Sequence, residues 1–230
     1  MIQGEKLACV SLDTYLGPMS KPPPRLHFLF AAASPKAVIL RRGPNAWTRL
    51  LLWNTEDDSV VPGAWFRGFL RPEQASLSPD GSLFAYTASK YNGVSEVGDT
   101  WVAISRPPWL SALALWPKDD CYGGTAFVDN RTLIIEQGHW NSLVLLKGRV
   151  PKDFTILQRG IGRGAPKQSL PQSAPVRGHF ANNAGLDADG RPFQYQDGKL
   201  MRGDKLIVDL GAMNPEPEES PDWAKEWPTT

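Results

Sequence analysis

Ala75-Ser76-Leu77-Ser78-Pro79-Asp80-Gly81-Ser82-Leu83-Phe84-Ala85-Tyr86 decides the fold. Pro79 sets φ for the first position of a turn, and Asp-Gly tolerates the positive φ that a tight hairpin requires. The stretch therefore reads as strand, turn, strand. Weaker versions of the same element return at Ser34-Pro35-Lys36, Asp129-Asn130 and Asp187-Ala188-Asp189-Gly190. Each opens a unit of roughly 40 to 60 residues, a period that signals a repeat architecture.

Working outward from these turns, the first unit has strands at Leu26–Ala33, Ala37–Arg42, Thr48–Trp53 and Ser59–Phe66. The second has Gln74–Ser78, Leu83–Ser89, Thr100–Ser105 and Ala112–Trp116. The third has Thr125–Val128, Thr132–Gln137, Ser142–Lys147 and Phe154–Gln158. The fourth has Ala184–Leu186, Pro192–Gln196, Lys199–Arg202 and Leu206–Leu210, with a second turn at Asp197-Gly198. These runs alternate or stay apolar over about four to eight residues, which is strand length and too short for most helices. The one helical candidate is Pro221–Trp227, after the acidic run Glu216–Glu219.

The reading is all-β. A lone four-stranded sheet exposes apolar faces and open edges, and radial stacking of four such sheets into a small β-propeller covers the faces. Leu7–Leu12 either pairs with the last unit or belongs to a fifth. A β-sandwich is the alternative and uses a similar number of strands. The domain limits are a lead-in over 1–25, a propeller over 26–213 with a long loop at 159–183, and an acidic tail over 214–230.

Leu77-Ser78-Pro79-Asp80-Gly81-Ser82-Leu83-Phe84-Ala85-Tyr86 resembles the blade signature S-P-D-G-x-x-[LI]-A-[YF] of WD-repeat and Tol-type propellers. Asp129-Asn130-Arg131-Thr132-Leu133-Ile134 and Asp187-Ala188-Asp189-Gly190-Arg191-Pro192-Phe193 match its turn portion. The resemblance runs from Leu26 to about Leu210 and implies a propeller fold. It implies no particular function, because propellers host many. Gly138-His139 and Gly178-His179 match the Gly-His of WD repeats, but no Trp-Asp pair follows either.

Composition narrows the function classes. The 230 residues carry 25 Lys and Arg against 24 Asp and Glu, a formal charge of +1. Such balance argues against bulk electrostatic binding to nucleic acid or anionic membrane. Cys9 and Cys121 are far apart in sequence and lack C-x-x-C or His neighbours, so they read as free thiols rather than zinc ligands. No basic, apolar leader opens the chain and no apolar run is long enough to span a bilayer, so a soluble, cytoplasmic protein is expected.

Chemistry-bearing patterns are sparse. His27, His139 and His179 lack metal spacing. Arg159-Gly160-Ile161-Gly162-Arg163-Gly164-Ala165-Pro166-Lys167 lacks the Gly-Lys-Ser/Thr ending of a phosphate loop. The acids at Glu56-Asp57-Asp58, Asp119-Asp120, Asp187 and Asp189 fall in turns, and no nucleophile elbow occurs. No cofactor or metal is expected. Nine tryptophans stand out. Trp53 and Trp116, at strand ends, read as core. Trp47, Trp109 and Trp140 fall near turns, and Trp and Arg are enriched in binding hot spots. Trp47, Trp109, Trp140, Arg159, Arg163 and His179 are therefore the candidate partner-binding residues. The expected function is a non-catalytic module that holds another protein, such as a toxin-neutralising or complex-assembly factor. The alternatives are a glycan-active enzyme at the channel mouth and a lectin using exposed Trp.

Overall fold

A computed structural model describes residues 23–43, 46–90, 96–138, 143–161, 178–180, 183–211 and 213–229. The expected strand at Leu7–Leu12, together with Cys9, His139, Trp140 and Arg163, lies outside them.

The described residues are all-β, arranged as four sheets. The first sheet takes β1 (Arg25–Phe30), β2 (Lys36–Arg42), β3 (Trp47–Asn54) and β4 (Val60–Arg67) as an antiparallel meander. The second takes β5 (Phe69–Leu77), β6 (Phe84–Ser89), β7 (Thr100–Ser105) and β8 (Ala114–Lys118) in the same way. The third begins with β9 (Thr125–Asp129) and β10 (Thr132–Gln137). The two-residue β11 (Lys147–Gly148) then returns to the outer edge of β8, and β12 (Thr155–Gly160) joins β10. β13 (Gly178–Phe180) adds to the free edge of β1. The fourth sheet is β14 (Asn183–Leu186), β15 (Pro192–Gln196), β16 (Lys199–Arg202) and β17 (Lys205–Asp209).

Two sequence expectations are corrected here. Of the strand expected over Ser142–Lys147, the described residues 143–147 form no part of the third sheet. Residues 143–146 carry no ladder, and Lys147–Gly148 pairs with the second sheet. The third sheet is also not wholly antiparallel, since β12 lies parallel to β10. Both follow from one excursion. The chain crosses from the end of β10 to the rim of the second sheet and travels back along it. It therefore re-enters the third sheet in the direction of β10. In addition, β13 lies within the stretch read as a long loop, and the tail holds a 3-10 turn at Asp222–Lys225.

Three apolar layers hold the sheets face to face. Val38, Leu40 and Leu50 of the first sheet meet Leu77, Phe84 and Tyr86 of the second. The opposite face of the first sheet, with Phe28, Ile39 and Trp53, meets Phe193, Tyr195 and Leu200 of the fourth. The far face of the second sheet, with Ala85, Val102 and Ile104, meets Phe127, Leu133 and Ile135 of the third. The strands record this order. β6 and β7 are buried at every position, as strands covered on both faces must be, and they read as unbroken runs of apolar and small residues. β15, in an outer sheet, alternates exposed and buried.

The first hairpin turn of each sheet lies at a common end of the molecule. Ser34 Oγ donates to the Asp80 carbonyl at 2.9 Å, and the Asp80 amide donates to Asn130 Oδ1 at 3.0 Å. One turn thus touches its counterparts in the sheets on either side. Within it, Asp80 Oδ1 accepts from Ser78 Oγ at 2.6 Å, from the Ser82 amide at 2.9 Å and from Ser82 Oγ at 2.8 Å. Gly81 has φ of +70°, the conformation that the sequence demanded of it. Burial pushes the Asp80 carboxyl up, but these donors and Lys36 outweigh it and hold it below its usual value. A depressed carboxylate contributes stability above its unfolded pKa of about 4, and that contribution is lost as pH falls through the folded value. Asp80→Asn should cost about 1–2 kcal/mol at pH 7. The difference from wild type should shrink towards pH 3, read by urea unfolding at both pH values.

After β17 the chain runs past the first sheet to the third. Glu218 lies 3.7 Å from Arg49 of β3, and Trp227 packs on Phe154 beside the third sheet.

Candidate functional site

Three places gather functional groups. The first is an open cleft of about 650 Å³ between the first and fourth sheets, lined by Ala31–Pro35, Glu56, Ala188, Asp189 and Arg191. Its lining residue Arg191 joins, through Asp187, a charged lattice built from turns. Asp58, with φ of +64° after β3, presents its carboxylate to Arg202 of β16, which reaches Asp58 Oδ1 at 2.9 Å and Asp187 Oδ2 at 3.0 Å. Asp187 has a fully buried carboxylate, which also takes the Asp189 amide at 3.0 Å and the Arg191 amide at 2.9 Å. Trp53 Nε1 donates to Asp58 at 3.3 Å, and the Arg202 guanidinium sits 5.5 Å over the Trp53 ring.

This lattice is structural in its electrostatics. Burial alone would raise the Asp58 carboxyl, yet the Arg202 hydrogen bonds and charge, with Trp53 and Lys205, hold it below the usual carboxylate range. The bonds to Asp58 in turn keep Arg202 charged. A carboxylate held ionised and saturated by donors is no general acid at neutral pH. In the cleft itself, Arg191 donates to the Thr55 carbonyl and to Asp189.

The second place lies at the opposite end, between the second and third sheets. The Lys118 side chain is 1% exposed and donates to the Glu136 carbonyl at 3.1 Å, with Asp120 at 3.5 Å. Burial lowers its pKa, against the charge of Asp120. Asp120 accepts from the Tyr122 and Gly138 amides, at 3.0 and 2.9 Å. Cys121 beside it is a half-buried free thiol. These contacts tie the β8 exit to the β10 end. Among the described residues no group of three or more His, Cys, Asp or Glu is placed to hold a metal ion.

The third place is the rim joining the second and third sheets. The Leu143 backbone is bracketed by the Gln158 amide, whose Oε1 accepts at 2.6 Å and whose Nε2 donates at 2.9 Å. Three residues on, the Leu146 amide donates to the Leu115 carbonyl of β8 at 2.9 Å. Between these anchors Val144, Leu145 and Leu146 are 77%, 37% and 46% exposed. Leu157 of β12 and Ile161 after it are exposed as well.

The chain matches no family model, no curated protein and no solved structure.

Of the residues singled out from sequence, Trp140 and Arg163 lie outside the described residues, and Trp47, Arg159 and Trp109 lie within them. Trp47 is half-buried and packs edge-on against Trp65, with centroids 6.4 Å apart. Arg159 is paired with Glu136 on the neighbouring strand. Trp47 and Arg159 lie towards the strand ends shared with Lys118. Trp109 lies at the opposite end, in a turn closed by its amide on the Arg106 carbonyl at 2.9 Å. His179 is in β13, where its backbone pairs with His27. Sequence reading missed the Val144–Leu146 rim because three consecutive aliphatics look like a strand core. Only the anchors at Gln158 and Leu115 turn them outward. Among the described residues no helix is long and apolar enough to cross a membrane.

Proposed function

We propose that the four sheets form a small propeller-type ring and that this ring is a non-catalytic module holding a protein partner. Three face-to-face apolar layers in the order fourth, first, second, third supply the neighbour order that such a ring requires, and the first turns cluster at one end. Contact between the leading strands supports it too, with Ser76 Oγ of β5 at 3.0 Å from Thr125 Oγ1 of β9.

The binding role rests on the Val144–Leu146 rim. An aliphatic stripe fixed at both ends is an ordered surface, and ordered apolar surface rimmed by polar groups is what protein partners cover. Lys147, Arg149 and Lys152 are exposed next to it. The partner is then an apolar surface with acidic residues at its border. Among the described residues β12 is also an edge strand of its sheet, the kind of edge to which an extended segment can pair.

The test is affinity capture with tagged full-length protein beside its Val144→Glu variant. Val144 is so exposed that the substitution should leave the unfolding temperature unchanged. A stoichiometric partner held by wild type and lost by Val144→Glu is the expected result. Equal recovery by both, or no partner with either, overturns the reading.

A further inference from the structure

The tail occupies a groove that has the properties of a peptide site. Arg106, at the exit of β7, donates from Nη1 to the Trp223 carbonyl at 2.7 Å and reaches the Glu226 carbonyl at 3.4 Å. Its guanidinium also lies 4.9 Å over the Trp223 ring. Ala224 is completely buried, and its amide closes the 3-10 turn on the Pro221 carbonyl at 2.9 Å. Trp227 packs on Phe154 with centroids 5.0 Å apart and joins the core between the second and third sheets. One arginine reading main-chain carbonyls, a buried Ala224 and a half-buried aromatic anchor, Trp227, are how a groove holds a short peptide segment.

The link between this segment and the fourth sheet does little to orient it. Asn214-Pro215-Glu216-Pro217-Glu218-Glu219 is exposed throughout. Its ion pair to Arg49 is 3.7 Å long, with Glu218 60% exposed, so solvent and salt screen it. Two prolines keep the link extended. What the covalent link supplies is effective concentration, and a second molecule supplies the same segment once concentration is high enough. Among the described residues no acceptor lies against the buried Trp227 indole N–H.

We propose that residues 220–228 are an exchangeable ligand and that the groove between Arg106 and Phe154 accepts the same segment from a second copy of this chain. Reciprocal exchange gives a closed two-fold dimer in which each copy contributes Trp223 and Trp227 to the other's groove. The docked tail of the single chain then competes with the incoming one. This inference uses different residues from the aliphatic rim and stands or falls independently of it.

A complementation experiment on full-length protein tests it. Arg106→Glu breaks the groove and leaves the tail. Trp227→Ala breaks the tail and leaves the groove. Neither can exchange reciprocally, but a mixture offers one intact tail and one intact groove. Light scattering after size exclusion should show each variant alone as a monomer and the mixture as a one-to-one dimer at high micromolar concentration. A mixture that stays monomeric, with both variants folded by circular dichroism, overturns the proposal. Should Trp227→Ala lose its fold, Trp223→Ala replaces it, because Trp223 is 46% exposed and its ring lies against Arg106, so the substitution removes that contact and leaves the core intact. A labelled peptide of residues 216–230 gives a second readout. It should bind the tail variant at least tenfold more tightly than wild type and fail to bind Arg106→Glu. Equal binding to all three overturns the proposal.

Discussion

Trp53→Ala is expected to lower stability by about 3–5 kcal/mol. For a domain of this size that shifts the unfolding temperature down by roughly 10 °C. Trp53 is 0% exposed and is the largest fully buried side chain among the described residues. Its ring meets Phe28 at 6.2 Å, Phe30 at 6.0 Å and Phe193 at 5.3 Å, all at steep interplanar angles. These edge-to-face pairs add to the area term, and their neighbours are held by the sheets, so the cavity cannot collapse. Trp53 also joins the first sheet to the fourth, so its loss should loosen the contact between these two sheets as well as lowering the total. Chemical denaturation of wild type, Trp53→Phe and Trp53→Ala measures this. The phenylalanine variant keeps most of the packing and should lose about a third as much, since it retains an aromatic ring in an otherwise unchanged site. A loss below 1 kcal/mol for Trp53→Ala would mean that the first and fourth sheets are not packed as described.

The strands were readable because their causes are local. Thr100–Ser105, Thr132–Gln137, Pro192–Gln196 and Lys199–Arg202 were each delimited by turn residues, and each is a strand with those limits. Trp53 and Trp116, read as core from their positions at strand ends, are buried. Gly81, Asp197 and Gly198 have the positive φ that Asp-Gly turns require. Pairing between strands distant in sequence was not readable. Nothing local in Thr155–Gly160 says that it runs parallel to β10, because alternation specifies faces and leaves direction open. The candidate sites suffered most. Asp58 read as a turn acid, which it is, but its role depends on Arg202, 144 positions away. Arg106 had no marked neighbour in sequence, yet it holds the tail through main-chain carbonyls that any residue would present.

The Asp58–Arg202–Asp187 lattice yields the second large effect. Arg202→Ala should cost about 3 kcal/mol at pH 7, the lower end for breaking a buried ion pair. The reason is asymmetry. The Asp58 and Asp187 side chains are 7% and 0% exposed, and removal of the guanidinium leaves both in place. Partial compensation comes from Lys205, 3.5 Å from Asp58, and from the amides on Asp187, which keeps the loss from being larger. The pH dependence carries the sign. In wild type the Asp58 carboxyl is held low, so its contribution is present above about pH 4 and is lost as pH falls through its folded value. Without Arg202, burial acts with less opposition and pushes that carboxyl upward. Its protonated form then favours the folded state in acid. The gap between wild type and Arg202→Ala must therefore narrow as pH falls below about 4. Urea unfolding at pH 7, 5 and 3.5 reads it, and a gap constant across that range would show that Arg202 acts through packing rather than charge. Pairing Arg202→Ala with Trp53→Ala distinguishes the two further. The guanidinium lies 5.5 Å over the Trp53 ring, and both groups bond Asp58, so the losses should fall short of additive by about 1 kcal/mol. Strict additivity would place the ring and the lattice in separate units, whereas a shortfall makes them one device that fastens the last sheet to the first.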